Sequence, residues 1–461
     1  MHISRRSFFG GTTLAMAGSC TLVRAASAAP GLPTLQTCDV CVLGGSATGV
    51  FAAVRAARLG ARVALVEKTN AFGGVATNGL VNVWHSLLDN AFQQQIIGGL
   101  TQEVMERLKK RDAVRVVEKN ASEGFIFNSQ ELKIELDELI LECKTIKPYL
   151  HTLFSEPYME EGKLVGVIVD NKSGRGIIRA QMFVDATGDG DLCHRLNVPS
   201  YTYDQIQPPT VCAHFSNFNS HDFTALYTEH AAEVGLPAGF FWGTQIPGSS
   251  DFMMAGTRVY GRNCADADDL TAAEMEGRRQ VRLLQDLSRK YGKQALGLTA
   301  LPAMIGIRDT RHIRCQHQLT DQEAMNGVAF PDTIAKGSYR FDLHHQEKPG
   351  LTFYYLDGRK EYHCPGKRVQ RERWREAAGA AAYYQIPLRS LLPQGQRNVI
   401  VAGRMLDAEK LAFSGVRVMV NMNQLGEAAG VACVVALQNK QALGADVPAI
   451  QQALRAGGSC V

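Results

Sequence analysis

The sequence lacks a strong excess of either charge, any long apolar run, any internal repeat or low-complexity tract, and any cysteine–histidine spacing of the zinc-binding kind. Basic and acidic residues number 49 and 45 among 461, a net charge of +4. Three of those excess charges, Arg5, Arg6 and Arg24, lie in the first 28 residues, which carry no acid. A chain so nearly neutral has no basic stripe for nucleic acid. No segment approaches the ~20 apolar residues that cross a bilayer. What remains is ordinary globular composition, 45% hydrophobic and 20% charged, which excludes wholesale disorder. The length exceeds what one core needs, so two interleaved lobes are expected.

The first residues read as an address label. Ser4-Arg5-Arg6-Ser7-Phe8-Phe9 resembles the bacterial twin-arginine export motif, followed by a weakly apolar stretch to Val23 and the small-residue run Ala25–Ala29. Cleavage after Ala28 fits the small-residue rule, and the expected home is the periplasm. Cys20 also stands where a lipoprotein acceptor would, though Ala17 is a poor residue for the first place of that motif. Eleven cysteines, ten after cleavage, meet an oxidising compartment, but a large core does not need disulfides. Cys38 and Cys41 form a C-x-x-C at the start of a strand, without the following helix that lowers a thiol pKa, and are expected as buried thiols.

From Asp39 the pattern sharpens. Val40-Cys41-Val42-Leu43 is a continuous apolar run of the buried parallel type. Gly44-Gly45-Ser46-Ala47-Thr48-Gly49 turns the chain into an alanine-rich helix, Val50–Leu59, closed by Gly60. A second buried strand, Arg62–Val66, ends at Glu67, and Lys68 beside it is counted with Glu67 among the candidate cofactor-binding residues. This is a βαβ dinucleotide unit. Gly44 allows the tight turn, Gly49 allows close helix–strand packing, and the helix N-terminus offers N–H groups to a pyrophosphate. Glu67 is placed to accept from ribose hydroxyls. Ser46 replaces the middle glycine of the motif, so its Cβ crowds the phosphate while its hydroxyl offers a donor.

Three further segments bear on which dinucleotide binds. Phe72–Gly79 is too glycine-rich for a packed helix, Met182–Asp185 is a strand running into Ala186-Thr187-Gly188-Asp189, and Asn398–Val401 ends in Gly403-Arg404. Ser414–Met419 and a small-residue helix, roughly 421–438, follow. With these segments the chain resembles bacterial FAD-dependent oxidoreductases, distantly related to fumarate reductase and succinate dehydrogenase flavoproteins. Further marks of the resemblance are Ile305–Ile313, with Asp309 where relatives often have Glu, Phe341–His344 and Ile386–Leu391. The resemblance implies FAD, expected to be bound non-covalently, stretched between both ends of the chain. Gly44–Gly49 would take the pyrophosphate and Glu67 the ribose. Gly74, Ala76 and Thr77 would approach the ribityl or isoalloxazine side, and Thr187, Gly188 and Asp189 the adenosine side. Gly403, Arg404, Arg417 and Val418 would complete the flavin end. A helix N-terminus with Arg417 beside the pyrimidine ring would stabilise the charge of reduced flavin.

The expected fold is therefore α/β, a Rossmann-like FAD-binding domain with an inserted α+β substrate domain. The divisions are a signal peptide at 1–28, FAD-binding parts at 38–192 and 388–440, a substrate region at 193–387 and a tail at 441–461. Helices are expected from a capping box at Asn128–Glu131 and from Thr271 to about Tyr291, with a β-hairpin at 164–180. Arg308 and His344 are the candidate catalytic residues, Arg311 supports them, and a cation beside the flavin would orient an anionic substrate. His85 is weighed as a covalent flavin tether against a core or loop histidine. The function expected is hydride transfer between a small organic substrate and flavin. In oxidation His344 would serve as base; in reduction Arg308 would serve as acid. With no second nucleotide unit, the electron partner is expected to be O₂, a quinone or a periplasmic redox protein. Two other readings stay open at this point, a flavin-binding protein without turnover and an NAD-dependent enzyme or lyase.

Overall fold

The computed structural model describes residues 31–461 except 121–122, 238–240, 294, 365–366 and 378. The export motif, the cleavage position and Cys20 lie outside the described residues.

Five parallel strands form the central sheet in the order Val399–Val401, Met182–Asp185, Val40–Leu43, Val63–Val66, Ile146–Tyr149. The first four are buried at every position, which explains why they read as unbroken apolar runs without alternation. The helix Ala47–Arg58 connects Val40–Leu43 to Val63–Val66. Strand order reverses at Val40–Leu43, between Met182–Asp185 and Val63–Val66, so the crevice of the sheet opens at its carboxyl end. The hairpin expected at 164–180 appears as Lys163–Asn171 and Gly174–Arg179, in a separate sheet with Leu153–Glu160 and Thr34–Thr37.

The helix Met419–Asn439 is buried from Val420 through Ala436, and it packs on the helix Ala47–Arg58. Close approach requires Gly426 and Gly430, where a Cβ would meet the carbonyl oxygens of Thr48 and Ala52 at 2.0 and 2.2 Å. Arg55 and Glu427 join the same two helices inside the core. Arg55 Nε donates to Glu427 Oε2 at 2.7 Å, and Glu427 Oε1 accepts from Leu100 N at 3.1 Å. Arg55 also donates to the Gly457 carbonyl and to Ser459 Oγ. The segment taken as a tail thus folds onto the core through the helix Val447–Ala456. Truncating Arg55 to alanine leaves the Glu427 carboxylate buried without its cation. A loss of roughly 3–5 kcal/mol is expected, read as a lower thermal midpoint of the flavin-loaded protein.

A second, smaller core is built on the antiparallel sheet Trp242–Gln245, Phe252–Ala255, Cys212–Ser216, Gly297–Ala300, covered by the helix Ala267–Tyr291. That helix starts one turn before Thr271. Asp266 is the cap, accepting from Asp268 N and Asp269 N, and Thr271 Oγ1 donates back to the Ala267 carbonyl within the helix. Asn128 caps the helix Ser129–Leu141 by accepting from Gln130 N and Glu131 N, half of the reciprocal pattern expected there. Residues 313–386 share the first core with the dinucleotide unit, so the second core is confined to 211–305.

The ten described cysteines are all free. Cys38 Sγ donates to carbonyls at 3.4 Å, and burial pushes its thiol up to about 12, an inert core group. Among the described residues no single helix is long and apolar enough to cross a membrane.

Candidate active site

Three turns meet at the carboxyl end of the parallel sheet. In the first, Gly44 has φ +94°, and a Cβ there would stand 2.3 Å from the Ala186 carbonyl oxygen. Gly49 is held as closely, its missing Cβ 1.9 Å from the Gly44 oxygen. Ser46 is the helix N-cap and accepts from Gly49 N at a long 3.4 Å, so Gly49 N–H has only a weak partner there. Ala47 and Thr48 open the helix and are buried. Glu67 ends its strand as expected. Its Oε2 accepts from Gly45 N at 2.7 Å and its Oε1 from Thr69 N and Oγ1, so the carboxylate fixes the loop and keeps lone pairs for a ribose. Lys68 is exposed.

The second turn lies against the first: Gly73 N donates to the Gly45 carbonyl at 2.8 Å, and Gly74–Ala76 is one 3₁₀ turn. Thr77 Oγ1 donates to the Phe72 carbonyl at 2.6 Å and closes this loop on itself. In the third turn Thr187 Oγ1 donates to Asp185 and accepts from Asp191 N. Asp189 receives Thr310 Oγ1 at 2.6 Å and the Arg404 guanidinium, which lies over Gly188. Burial pushes Asp191 up to about 6, with Asp189 and Asp185 adding to the shift.

A second constellation gathers residues from distant parts of the chain. Arg417, at the end of the helix Lys410–Val416 and just before Val418 caps Met419–Asn439, donates to Gln207 Oε1 and the Asp342 carbonyl, both at 3.3 Å. Its guanidinium is 3.5 Å from Asp342 Oδ2, and His344 Nε2 is 3.2 Å from Asp342 Oδ1. Arg308 Nη1 donates to the Pro208 carbonyl at 2.5 Å. Burial, together with the positive charges of Arg417 and Arg258, lowers Arg308 to about 10. Burial also drives His344 down to about 3, against the pull of Asp342, so its imidazole is neutral at pH 7. Burial alone would raise Asp342, but His344, Arg417 and Arg340 hold it well below the carboxylate range. Four arginines, Arg258, Arg308, Arg340 and Arg417, therefore lie within electrostatic reach of a single carboxylate.

Arg308 and His344 are thus brought together. Arg311 goes elsewhere: its Nη1 donates to the Asp189 carbonyl at 2.9 Å, on the side of the third turn. His85 stacks on Tyr339 with ring centroids 4.0 Å apart. Gln207, Arg258 and Asp342 carry much of this geometry, and sequence reasoning gave them no role. Only Asp342, in Phe341–His344, stood in a segment already singled out.

The turns fit a bound dinucleotide. Glycines whose Cβ positions are filled by backbone line the crevice. Arg404 Nε, Arg417 Nε and Gln207 Nε2 are buried without an acceptor among the described residues, as donors awaiting a ligand would be, and His344 Nδ1 is buried without a partner among them. Fold and site together define a dinucleotide-binding oxidoreductase. More narrowly, residues 39–456 match the model of the FAD dependent oxidoreductase family, and the chain belongs to that family. Its cofactor is FAD. No curated protein matches the sequence. The chain path is similar to that of a geranylgeranyl bacteriochlorophyll reductase-like protein from Thermoplasma acidophilum, at 12% identity and TM-score 0.47 over 92% of this chain and 84% of that one. It is also similar to the myxobacterial chondrochloren halogenase CndH, at 12% identity and TM-score 0.46 over 92% and 79%. A third likeness is to p-nitrophenol 4-monooxygenase PnpA from Pseudomonas putida, at 12% identity and TM-score 0.43 over 91% and 84%.

Proposed function

We propose that the protein is an exported enzyme that moves a hydride between a small organic anion and its flavin. The observation that carries this is an excess of arginine: Arg308 and Arg417 both lie against one carboxylate, Asp342, which His344 also contacts, and this leaves positive charge for a ligand to neutralise. Gly44–Gly49, Glu67, Gly74, Ala76, Thr187–Asp189, Gly403, Arg404, Arg417 and Val418 would hold the FAD, which when bound supplies the two-electron acceptance or donation. Arg308 would bind and orient the anion. His344 would take the proton released when a C–H beside a hydroxyl or amine is oxidised, because its imidazole is already neutral and its Nδ1 is unoccupied. Asp342 would keep that ring in place. The helix N-terminus at Met419, with Arg417 before it, would favour negative charge at the flavin end. The segment Ser4–Ala29 supports export by the twin-arginine route. Electrons would leave to O₂, a quinone or a periplasmic redox protein.

The test is anaerobic mixing of the purified flavoprotein with a panel of 2-hydroxy and 2-amino acids, followed through the visible flavin bands. Bleaching by at least one acid, and not by its amide, is expected. Bleaching by the neutral compounds alone would overturn the anionic substrate, and no bleaching by any compound would overturn this direction of transfer.

A further inference from the structure

Gln207 is fully buried, and its side-chain oxygen is engaged while its side-chain nitrogen is not. Oε1 accepts from Arg417 Nη2 at 3.3 Å and from the His344 main-chain N–H at 3.4 Å. Both neighbours are donors, so the amide orientation is fixed: a flipped carboxamide would set its NH₂ against two N–H groups. The amide nitrogen must then face away from Arg417. There it is buried with no acceptor among the described residues.

The backbone beneath this amide is held firmly. Gln207 N donates to Asp309 Oδ2 at 3.1 Å, and Asp309 Oδ1 is 3.0 Å from His312 Nε2. His312 Nδ1 faces the Leu406 carbonyl at 3.1 Å, and its ring packs among Tyr201, Tyr203 and Phe413. A carbonyl only accepts, so Nδ1 is the donor there and Nε2 faces the Asp309 carboxylate. The next residue, Pro208, gives its carbonyl to Arg308. Gln207-Pro208 thus spans the site, Arg417 tied to one residue and Arg308 to the other. A buried donor without a partner, set between two ligand-binding arginines, is costly unless a ligand supplies the acceptor.

We propose that Gln207 is a substrate-binding residue: its Oε1 anchors Arg417 and the His344 backbone, while its Nε2 donates to an oxygen of the bound organic anion. This rests on the proposed function and adds a directional contact that fixes how the anion lies between the arginines. Asp309 and His312 are positioning residues that act through the Gln207 backbone.

The experiment uses the FAD-loaded full chain titrated with acetate, propionate and benzoate, with benzamide as the neutral control, read by perturbation of the visible flavin bands. Gln207→Glu keeps an acceptor toward Arg417 and replaces the donor by a carboxylate oxygen. At least a tenfold weaker affinity for the tightest acid is expected, at unchanged FAD content. Unchanged affinity would overturn the proposal. So would a shifted midpoint potential at unchanged affinity, which would turn the amide toward the flavin. Should Gln207→Glu fail to load FAD, Gln207→Met gives the same reading: wild-type affinity for the acid in that variant overturns the contact. A wild-type protein that binds benzamide as tightly as benzoate would remove the anion reading itself, before any variant is made. Failure of the contact and failure of the proposed function are thereby separated.

Discussion

Gly49→Ala is expected to give a colourless protein whose thermal midpoint no longer rises when FAD is added. The added methyl would lie 1.9 Å from the Gly44 carbonyl oxygen and 3.0 Å from its carbon, both backbone atoms that cannot swing aside. The helix Ala47–Arg58 must therefore withdraw from the strand Val40–Leu43, and the turn between them moves with it. Gly44 has no slack to give, since its own missing Cβ is 2.3 Å from the Ala186 oxygen. Overpacking alone costs about 1–3 kcal/mol in a well-filled core. The larger consequence is for the ligand. A cofactor present at a thousand times its Kd stabilises by about 4 kcal/mol, and all of that goes when the cradle moves. Flavin released by heat, measured against protein, is the direct reading, with the midpoint taken with and without added FAD. A variant that kept stoichiometric FAD would show that this turn is not the phosphate cradle.

How much of this was legible beforehand follows from how local each signal is. The dinucleotide unit announced itself because buried parallel strands are apolar without alternation, and because its turn needs glycine at positions fixed by backbone contact. Where a signal had a local rival, the boundary slipped. Thr271-Ala272-Ala273-Glu274 has the capping spacing, yet Asp266 won because its carboxylate reaches two N–H groups one turn earlier. The last 21 residues looked like a tail, since nothing within them shows that Arg55, some 400 positions upstream, will take the Gly457 carbonyl. The substrate side was the least legible. Gln207 lies in an aperiodic stretch, and its partners Arg417 and His344 stand 210 and 137 residues away. A single run, Ile305–Ile313, also serves several neighbours. Arg308 turns to the Pro208 carbonyl, Asp309 to Gln207 and His312, and Thr310 and Arg311 to Asp189. Arg311, expected to support Arg308 and His344, instead contacts Asp189 on the side of the third turn.

Arg308→Met is expected to cost roughly 30- to several-thousand-fold in kcat/KM for flavin reduction, with no loss of fold. The first half follows from desolvation. A buried guanidinium that meets a substrate carboxylate loses about 2–5 kcal/mol of interaction when truncated, because the anion is left in the site without its partner. The second half follows from the free protein. Arg308 has burial against it, and Arg417 and Arg258 repel it, so a methionine of similar length relieves an unfavourable charge. The thermal midpoint should therefore stay level or rise while activity falls, the reverse of what a structural arginine would show. His344 supplies an independent reading. Burial holds its pKa down first, and Arg308 depresses it further. Removing that charge raises the pKa of the imidazole, so the acid limb of the pH–rate profile should move to higher pH in the variant. Arg308→Lys keeps the charge and loses the two-pronged donor, and should recover part of the rate without moving that limb. Equal rates for wild type and Arg308→Met, or a variant that loses FAD and stability together, would take Arg308 out of the substrate site and make it a strut of the fold.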